Sequence, residues 1–352
     1  MLFQRASYLE HLPLNALASQ IVGIEENTLA KFPKRDALRV HFAHPAYQLA
    51  DRFALRNTGI EHFQTFNLQD TQERIKEGDV FVCSGFWQND YLETAPNIRF
   101  VQVCAVGFDQ FDQAAMANKG VKLANGAGVN ANAVSDHAFA LILGLTRKIH
   151  ESRDNQARAF WRGMISDMNA REEELPGKTL LIYGTGAIGG RIASLAKAFG
   201  MSTIGVRRDA AKNVVDVDEM HPSENFISLL PRADIVVLAC PLNDATRGLM
   251  NAEAFAAMKN SAYFVNVARG GCMIEADLVA AIRSGQIAGA GIDVTDPEPL
   301  PEKSELWGLS EVILTSHTGG ETRAYEDNVV DVLIENLNRL LDGREDLKNQ
   351  IV

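Results

Sequence analysis

In the second half of the chain, three ionisable side chains each come soon after a short apolar run. Arg269 follows Phe264-Val265-Asn266-Val267 and precedes Gly270-Gly271. Glu298 lies in the stiff run Asp293-Val294-Thr295-Asp296-Pro297-Glu298-Pro299-Leu300-Pro301, and His317 follows Ile313-Leu314-Thr315 and precedes Thr318-Gly319-Gly320. Together these residue types suit one chemistry. An imidazole titrates near neutrality and can pass a proton to a reacting oxygen. A carboxylate beside it orients the ring, stabilises the cation and raises its pKa. A guanidinium grips a carboxylate and polarises a neighbouring carbonyl through a planar fork of donors. Each residue alone has a plainer reading: a structural histidine, a solvated arginine, an exposed glutamate in a turn. Their common placement after strand-like runs, downstream of a glycine fingerprint, is what joins them.

That fingerprint is Gly184-Thr185-Gly186-Ala187-Ile188-Gly189. It sits between the apolar run Leu180-Leu181-Ile182-Tyr183 and an amphipathic helix carrying Ile192, Leu195, Ala196 and Phe199. G-x-G-x-x-G in a strand–turn–helix context is a dinucleotide site. Gly184, Gly186 and Gly189 allow the tight turn, close approach of a pyrophosphate and close helix–strand packing. The amides at the helix start, with Ala187 and Ile188, favour the phosphates. The next strand-like run, Thr203-Ile204-Gly205-Val206, ends about 20 residues on, where an NAD site carries an acid for the ribose. Arg207 and Arg208 stand there instead. Guanidinium groups suit a 2′-phosphate, so NADP(H) is expected over NAD(H), with NAD(H) possible. The plain alternative is a pair of solvated loop arginines.

These residues need a scaffold of alternating strands and helices. Strand-like runs at Leu180–Tyr183, Thr203–Val206, Ile235–Ala239, Tyr263–Val267, Ala290–Val294 and Val312–Thr315 match a doubly wound sheet, with ligands at the strands' carboxyl ends. Earlier runs at Leu38–Phe42, Val80–Cys83, Phe100–Cys104 and Val121–Ala124 predict a smaller parallel sheet. Between them a long helix is expected from about Asn132 to about Phe160. Its stretch Ala138–Leu145 is apolar on every side, which calls for burial all round. A partner subunit would supply that, giving a homodimer through the 132–160 region; burial within one subunit is the competing explanation. A last amphipathic helix, about Ala324 to Leu341, is expected to return to the first sheet. The resulting fold class is α/β, with two Rossmann-like/flavodoxin-like parallel-sheet domains. The larger is a dinucleotide-binding domain over 128–319. The other is a discontinuous substrate-binding domain over 37–127 and 320–352, preceded by an extension over 1–36.

The 352 residues suffice for two hydrophobic cores, and 46% hydrophobic with 22% charged residues is ordinary for a globular chain. A net charge of −11 argues against nucleic-acid binding. No run reaches the ~20 apolar residues of a membrane span, and no signal-peptide pattern opens the chain. Cys83, Cys104, Cys240 and Cys272 lack C-x-x-C spacing and read as buried free thiols, so no metal site is expected and a cytoplasmic location fits.

From about Leu38 to about Leu341 the sequence resembles the D-2-hydroxyacid dehydrogenases. The resemblance rests on Val267-Ala268-Arg269-Gly270, on Gly291-Ile292-Asp293-Val294 with Glu298-Pro299-Leu300-Pro301, and on Ser316-His317-Thr318-Gly319. It implies Arg269, Glu298 and His317 as catalytic residues and Asp293 as the group orienting the nicotinamide carboxamide. It places Cys240, Pro241, Val267 and Gly319 at the dinucleotide. The run Ala105-Val106-Gly107-Phe108-Asp109 resembles the family's substrate-carboxylate loop, with the amides of Val106 and Gly107 as donors. Trp87 lies where the substrate pocket is often lined, although packing alone is an equal reading. The arginines after the second strand and the Thr295–Pro301 run look most like NADPH-dependent glyoxylate/hydroxypyruvate reductases. The departures are Ala239 where many relatives carry His, and Ser316 where many carry Pro. The resemblance therefore implies hydride transfer between NADPH and a small 2-oxoacid. Its alternatives are an NAD-preferring reductase of another 2-oxoacid and a non-catalytic dinucleotide-sensing binding protein.

Overall fold

The computed structural model describes residues 32–108 and 110–352. Most of the expected 1–36 extension, and Asp109 of the loop after the fourth strand, lie outside the described residues.

Two parallel sheets organise the chain. The first joins β1 (Arg39–Ala43), β2 (Glu61–Thr65), β3 (Val80–Cys83), β4 (Phe100–Val103) and β5 (Lys122–Ala124) in the order β2-β1-β3-β4-β5. The second joins β6 (Thr179–Tyr183), β7 (Ser202–Val206), β8 (Glu219–His221), β9 (Ile235–Leu238), β10 (Tyr263–Asn266), β11 (Gly289–Ile292) and β12 (Val312–Leu314) in the order β12-β11-β10-β9-β6-β7-β8. Every residue of β3, β4, β9, β10 and β11 is buried. Central parallel strands are covered on both faces and so read as continuous apolar runs. The strand order of the second sheet reverses between β6 and β9, which opens a crevice at their carboxyl ends.

Two strands depart from the sequence reading, β2 in the first sheet and β8 in the second. β2, Glu-His-Phe-Gln-Thr, and β8, Glu-Met-His, are sheet edges. With only one neighbouring strand and partial cover they need no apolar run, and charge on an edge is tolerated.

The expected single helix over 132–160 is two, Ala131–Thr146 and Ile149–Ala157, broken where Lys148 takes a positive φ of 50°. The apolar stretch is buried largely within its own subunit. Ala138, Phe139, Leu141, Ile142 and Leu145 pack among Leu180, Ile182, Ile192, Val237 and Val265 beneath the second sheet, while Ala140 stays exposed. The all-round apolar character therefore does not itself demand a partner.

The chain returns after β12 through helix Tyr325–Leu341. Its buried face (Val329, Val330, Leu333, Leu337) packs on Val40, Phe42, Leu49 and Phe53 of the first sheet's core. Ion pairs from Arg52 and Arg56 to Asp327, and from Arg56 to Asp331, run along the helix edge. The two segments crossing between sheets meet near Asn130 and Gly320, and a Cβ on Gly320 would lie 3.1 Å from the Asn130 side-chain nitrogen.

Candidate active site at the carboxyl edge of the second sheet

Gly184 to Gly189 form the turn from β6 into helix Ala187–Ala198. A Cβ on Gly189 would sit 1.9 Å from the Gly184 carbonyl oxygen, so only glycine lets helix and strand approach this closely. Gly186, the residue before the helix, faces open space, with nothing within 4 Å of a built Cβ. Among the described residues, the amides of Thr185, Gly186, Ala187, Ile188 and Gly189 have no protein acceptor. A glycine opening onto free amides at a helix start is a cradle for a pyrophosphate, so the residues present fit a dinucleotide. Arg207 and Arg208 follow β7, and neither guanidinium has an ion-pair partner among the described residues. Cys240 is buried just past β9. The neighbouring Cys272 thiol and burial push its own thiol well above the ordinary range, so it stays neutral.

Arg269 emerges exposed between β10 and the turn Gly270–Cys272. Its guanidinium donates to the Ala268 carbonyl at 2.7 Å, which leaves donors for a ligand. His317 and Glu298 meet: His317 Nδ1 lies 2.8 Å from Glu298 Oε2, with the two side chains 46% and 39% exposed. Glu298 Oε1 accepts from the Thr295 amide at 3.1 Å, which holds the carboxylate in place. A carboxylate only accepts, so Nδ1 carries the proton of this bond and Nε2 is the nitrogen open to a substrate. A cleft of about 780 Å³ beside the pair is lined in part by Leu300, Trp307, Leu314 and Thr318. Another of about 630 Å³ lies toward the opposite edge of the sheet, where Lys148, Asp154, Arg158 and Arg171 line it, and it contains none of these site residues.

Asp293, just past β11, is the hub of the loop that carries His317. Its backbone carbonyl accepts from the His317 amide at 2.7 Å. Oδ1 accepts from the Thr315 hydroxyl at 2.6 Å and the Thr318 amide at 3.0 Å, and Oδ2 from the Gly319 amide at 3.1 Å. Burial works against ionisation, but the bonds from His137 and Thr315 outweigh it, and the carboxyl is held below its ordinary range. His317 itself takes φ of 55°, a left-handed conformation that this web of bonds supports.

In the first sheet, the loop after β4 presents Val106 (37% exposed) and Gly107, whose amides have no acceptor among the described residues. Asn125 pins this loop by donating to the Val106 carbonyl at 2.7 Å. Of the two readings of Trp87, the structure shows the packing one. The residue is only 6% exposed, its ring packed among Phe81, Tyr91 and Phe111, with Nε1 donating to Asn89 at 2.8 Å. It is part of the core of the first sheet. Two residues that the motifs do not single out, His137 and Thr315, stand against Asp293; the available signal was an imidazole directly before the apolar stretch Ala138–Leu145.

This arrangement is that of an oxidoreductase that moves hydride between a dinucleotide and a 2-hydroxyacid, and comparison with known proteins agrees. Residues 139–319 match the D-isomer specific 2-hydroxyacid dehydrogenase, NAD binding domain. Hydroxypyruvate reductase of Blautia hydrogenotrophica is 31% identical over 287 residues, covering 79% of this chain and 86% of that one. Glyoxylate reductase of Pyrococcus furiosus is 33% identical over 273 residues, covering 75% and 80%. The crystal structure of the TT0316 protein from Thermus thermophilus superposes with a TM-score of 0.76 at 29% identity, covering 90% of this chain and all of that one. The chain belongs to the D-isomer specific 2-hydroxyacid dehydrogenase family. It is an NAD(P)-dependent oxidoreductase acting on 2-hydroxyacids.

Proposed function

We propose that this enzyme reduces a small 2-oxoacid, of the glyoxylate or hydroxypyruvate kind, with NADPH. The observation that carries the reading is the His317–Glu298 bond of 2.8 Å at the carboxyl edge that also bears Arg269. The bound dinucleotide supplies the hydride. His317, oriented through Nδ1 by Glu298, holds at Nε2 the proton that the reduced carbonyl oxygen takes up. Arg269 binds the substrate carboxylate and polarises the carbonyl, a contact that strengthens as charge grows on oxygen. The free amides of Val106 and Gly107 bind the same carboxylate. Asp293 Oδ2, with one accepted bond, has capacity left for a carboxamide N–H. Cys240, Pro241, Val267 and Gly319 border the dinucleotide in this reading, and Arg207 and Arg208, without an ion pair among the described residues, meet a 2′-phosphate.

The names of the relatives, glyoxylate reductase and hydroxypyruvate reductase, support the substrate class. We propose a homodimer through the 132–160 region, extended by the segment that follows it, where Phe160, Trp161, Met164 and Met168 are exposed, Trp161 at 96%. No described helix is long and apolar enough to cross a membrane. All four cysteines are free thiols, which suits a reducing compartment such as the cytoplasm.

The test is the initial rate with glyoxylate, hydroxypyruvate, pyruvate and phenylpyruvate, each with NADPH and NADH. NADPH-dependent turnover of the smaller acids is expected. Arg269→Ala and His317→Ala should each lower kcat by roughly 10²–10⁴-fold while dinucleotide binding persists. Near wild-type turnover in either variant would sink the assignment. Activity with NADH alone would remove the arginines from the cofactor argument.

A further inference from the structure

We propose that His137 is a positioning residue that locks the loop carrying His317 by completing a proton-ordered chain through Thr315 to Asp293. The inference rests on the catalytic reading of His317 for its kinetic consequence, but not for its structural one.

His137 Nε2 lies 2.8 Å from Thr315 Oγ1 and 3.3 Å from Asp293 Oδ1. The direction of these bonds follows from counting protons. Thr315 has one hydroxyl proton, and it goes to Asp293 Oδ1 at 2.6 Å, because a carboxylate can only accept. Toward His137 the Thr315 oxygen must then be the acceptor. His137 therefore carries its proton on Nε2, donating to the hydroxyl and leaning on the carboxylate. Removing that donor leaves a lone pair of Thr315 facing an apolar wall and takes a favourable partner from the ionised Asp293.

The ring also supports the loop by contact. A Cβ on Gly319 would lie 2.8 Å from Asp293 Oδ2 and 3.1 Å from the His137 ring, so the Gly319 backbone packs against both. His137 belongs to helix Ala131–Thr146, which begins where the chain crosses between sheets, and its side chain is only 20% exposed. The other buried polar side chains of this helix, Ser135 and Thr146, bond back to its own carbonyls at Ala131 and Ile142, whereas His137 reaches out to another segment. An imidazole there is sited to meet the loop, since the core alone would be served better by a leucine. Asp293 in turn accepts the amides of Thr318 and Gly319 and, by its carbonyl, that of His317. The orientation of one carboxylate thus sets the backbone on which the proton-carrying imidazole stands.

The test compares His137→Leu, which keeps bulk without a donor, with His137→Gln, whose amide N–H reaches the place of Nε2. Thr315→Val breaks the next link and keeps the branched shape. Amide hydrogen exchange of residues 316–319, measured on the purified chain without added dinucleotide, reports the loop independently of any reaction. H137L and T315V should each speed exchange at Thr318 and Gly319 by tenfold or more. H137Q should stay within a few-fold of wild type, and H137L/T315V should be no worse than either single variant. In turnover, H137L should lower kcat about 10–100-fold with KM little changed, as supporting partners of reactive groups do, and H137Q should recover most of it. Unchanged exchange in both H137L and T315V would overturn the proposal, and so would H137Q failing as fully as H137L. Loss of loop protection in a chain that reduces no 2-oxoacid would leave the positioning role standing and remove only the proposed function.

Discussion

Beside each sheet a histidine hands its proton to a threonine, His41 from within a strand and His137 from a helix, and the two chains end differently. In the first sheet, Thr71 donates to the Asn67 carbonyl at 2.7 Å, Thr65 to Thr71 at 2.7 Å, and His41 Nε2 to Thr65 at 2.8 Å. The chain finishes on a neutral backbone oxygen. His41 sits mid-strand, stacked on Phe63, its Nδ1 without a partner. In the second sheet, the chain from His137 through Thr315 finishes on the Asp293 carboxylate just past a strand's end, where further acceptor capacity holds the loop of His317. The chain from His41 runs from β1 through the last residue of β2 to the start of helix Leu68–Arg74 and ties that helix to the sheet. A chain at the carboxyl edge, ending on a charge, can present chemistry.

The turns after the leading strands differ in the same sense. Past β1, His44 Nδ1 accepts the amides of Ala46 and Tyr47 at 3.2 and 2.9 Å, and Gln64 accepts that of Ala50 at 2.9 Å. Side chains of the protein occupy the donors at that helix start. Past β6, the corresponding amides are left open by glycine. The same parallel architecture is closed to an anion in one sheet and open to it in the other.

The largest expected effect breaks the open turn. Gly189→Val places a side chain where the Gly184 carbonyl stands 1.9 Å from a Cβ. It should abolish dinucleotide binding, read by titration of protein fluorescence, and lower the thermal midpoint of the chain. Binding at wild-type affinity would show that the close approach is dispensable.

A smaller effect follows from the burial of His41. Burial first, then the Arg74 charge, lowers the pKa of His41 from 6.5 to about 3. The unfolded chain binds this proton below pH 6.5 while the folded chain refuses it down to about 3. The stability contributed by neutral His41 is thus whole above pH 6.5 and lost as pH falls through that window. By pH 4.5 the loss is about 2–3 kcal/mol. His41→Leu should flatten the decline in unfolding free energy between pH 7 and 4.5 by about that amount, measured by urea titration. An undiminished slope would place the acid sensitivity elsewhere.

The smallest effect concerns Trp87. Trp87→Phe removes the bond to Asn89 and some packing, so it should cost about 1–2 kcal/mol of stability and leave KM for the oxoacid within about twofold. A large change in KM without loss of stability would return Trp87 to the pocket.

Some features of this molecule are local, and those are legible in the order of residues. The glycine fingerprint is set by backbone demands within six positions, and the central strands by runs that must be apolar on both faces. Arg269, Glu298 and His317 follow strands whose ends a parallel sheet brings to one edge, so their neighbourhood could be anticipated. Other features depend on what packs where. The edge strands β2 and β8 pair through backbone bonds that put little demand on side chains. Trp87 is buried because Phe81, Tyr91 and Phe111 close around it. The partnership of His137, Thr315 and Asp293 joins three distant parts of the chain. A polar side chain's role is decided by which donor or acceptor meets it, and only the tertiary structure makes those introductions.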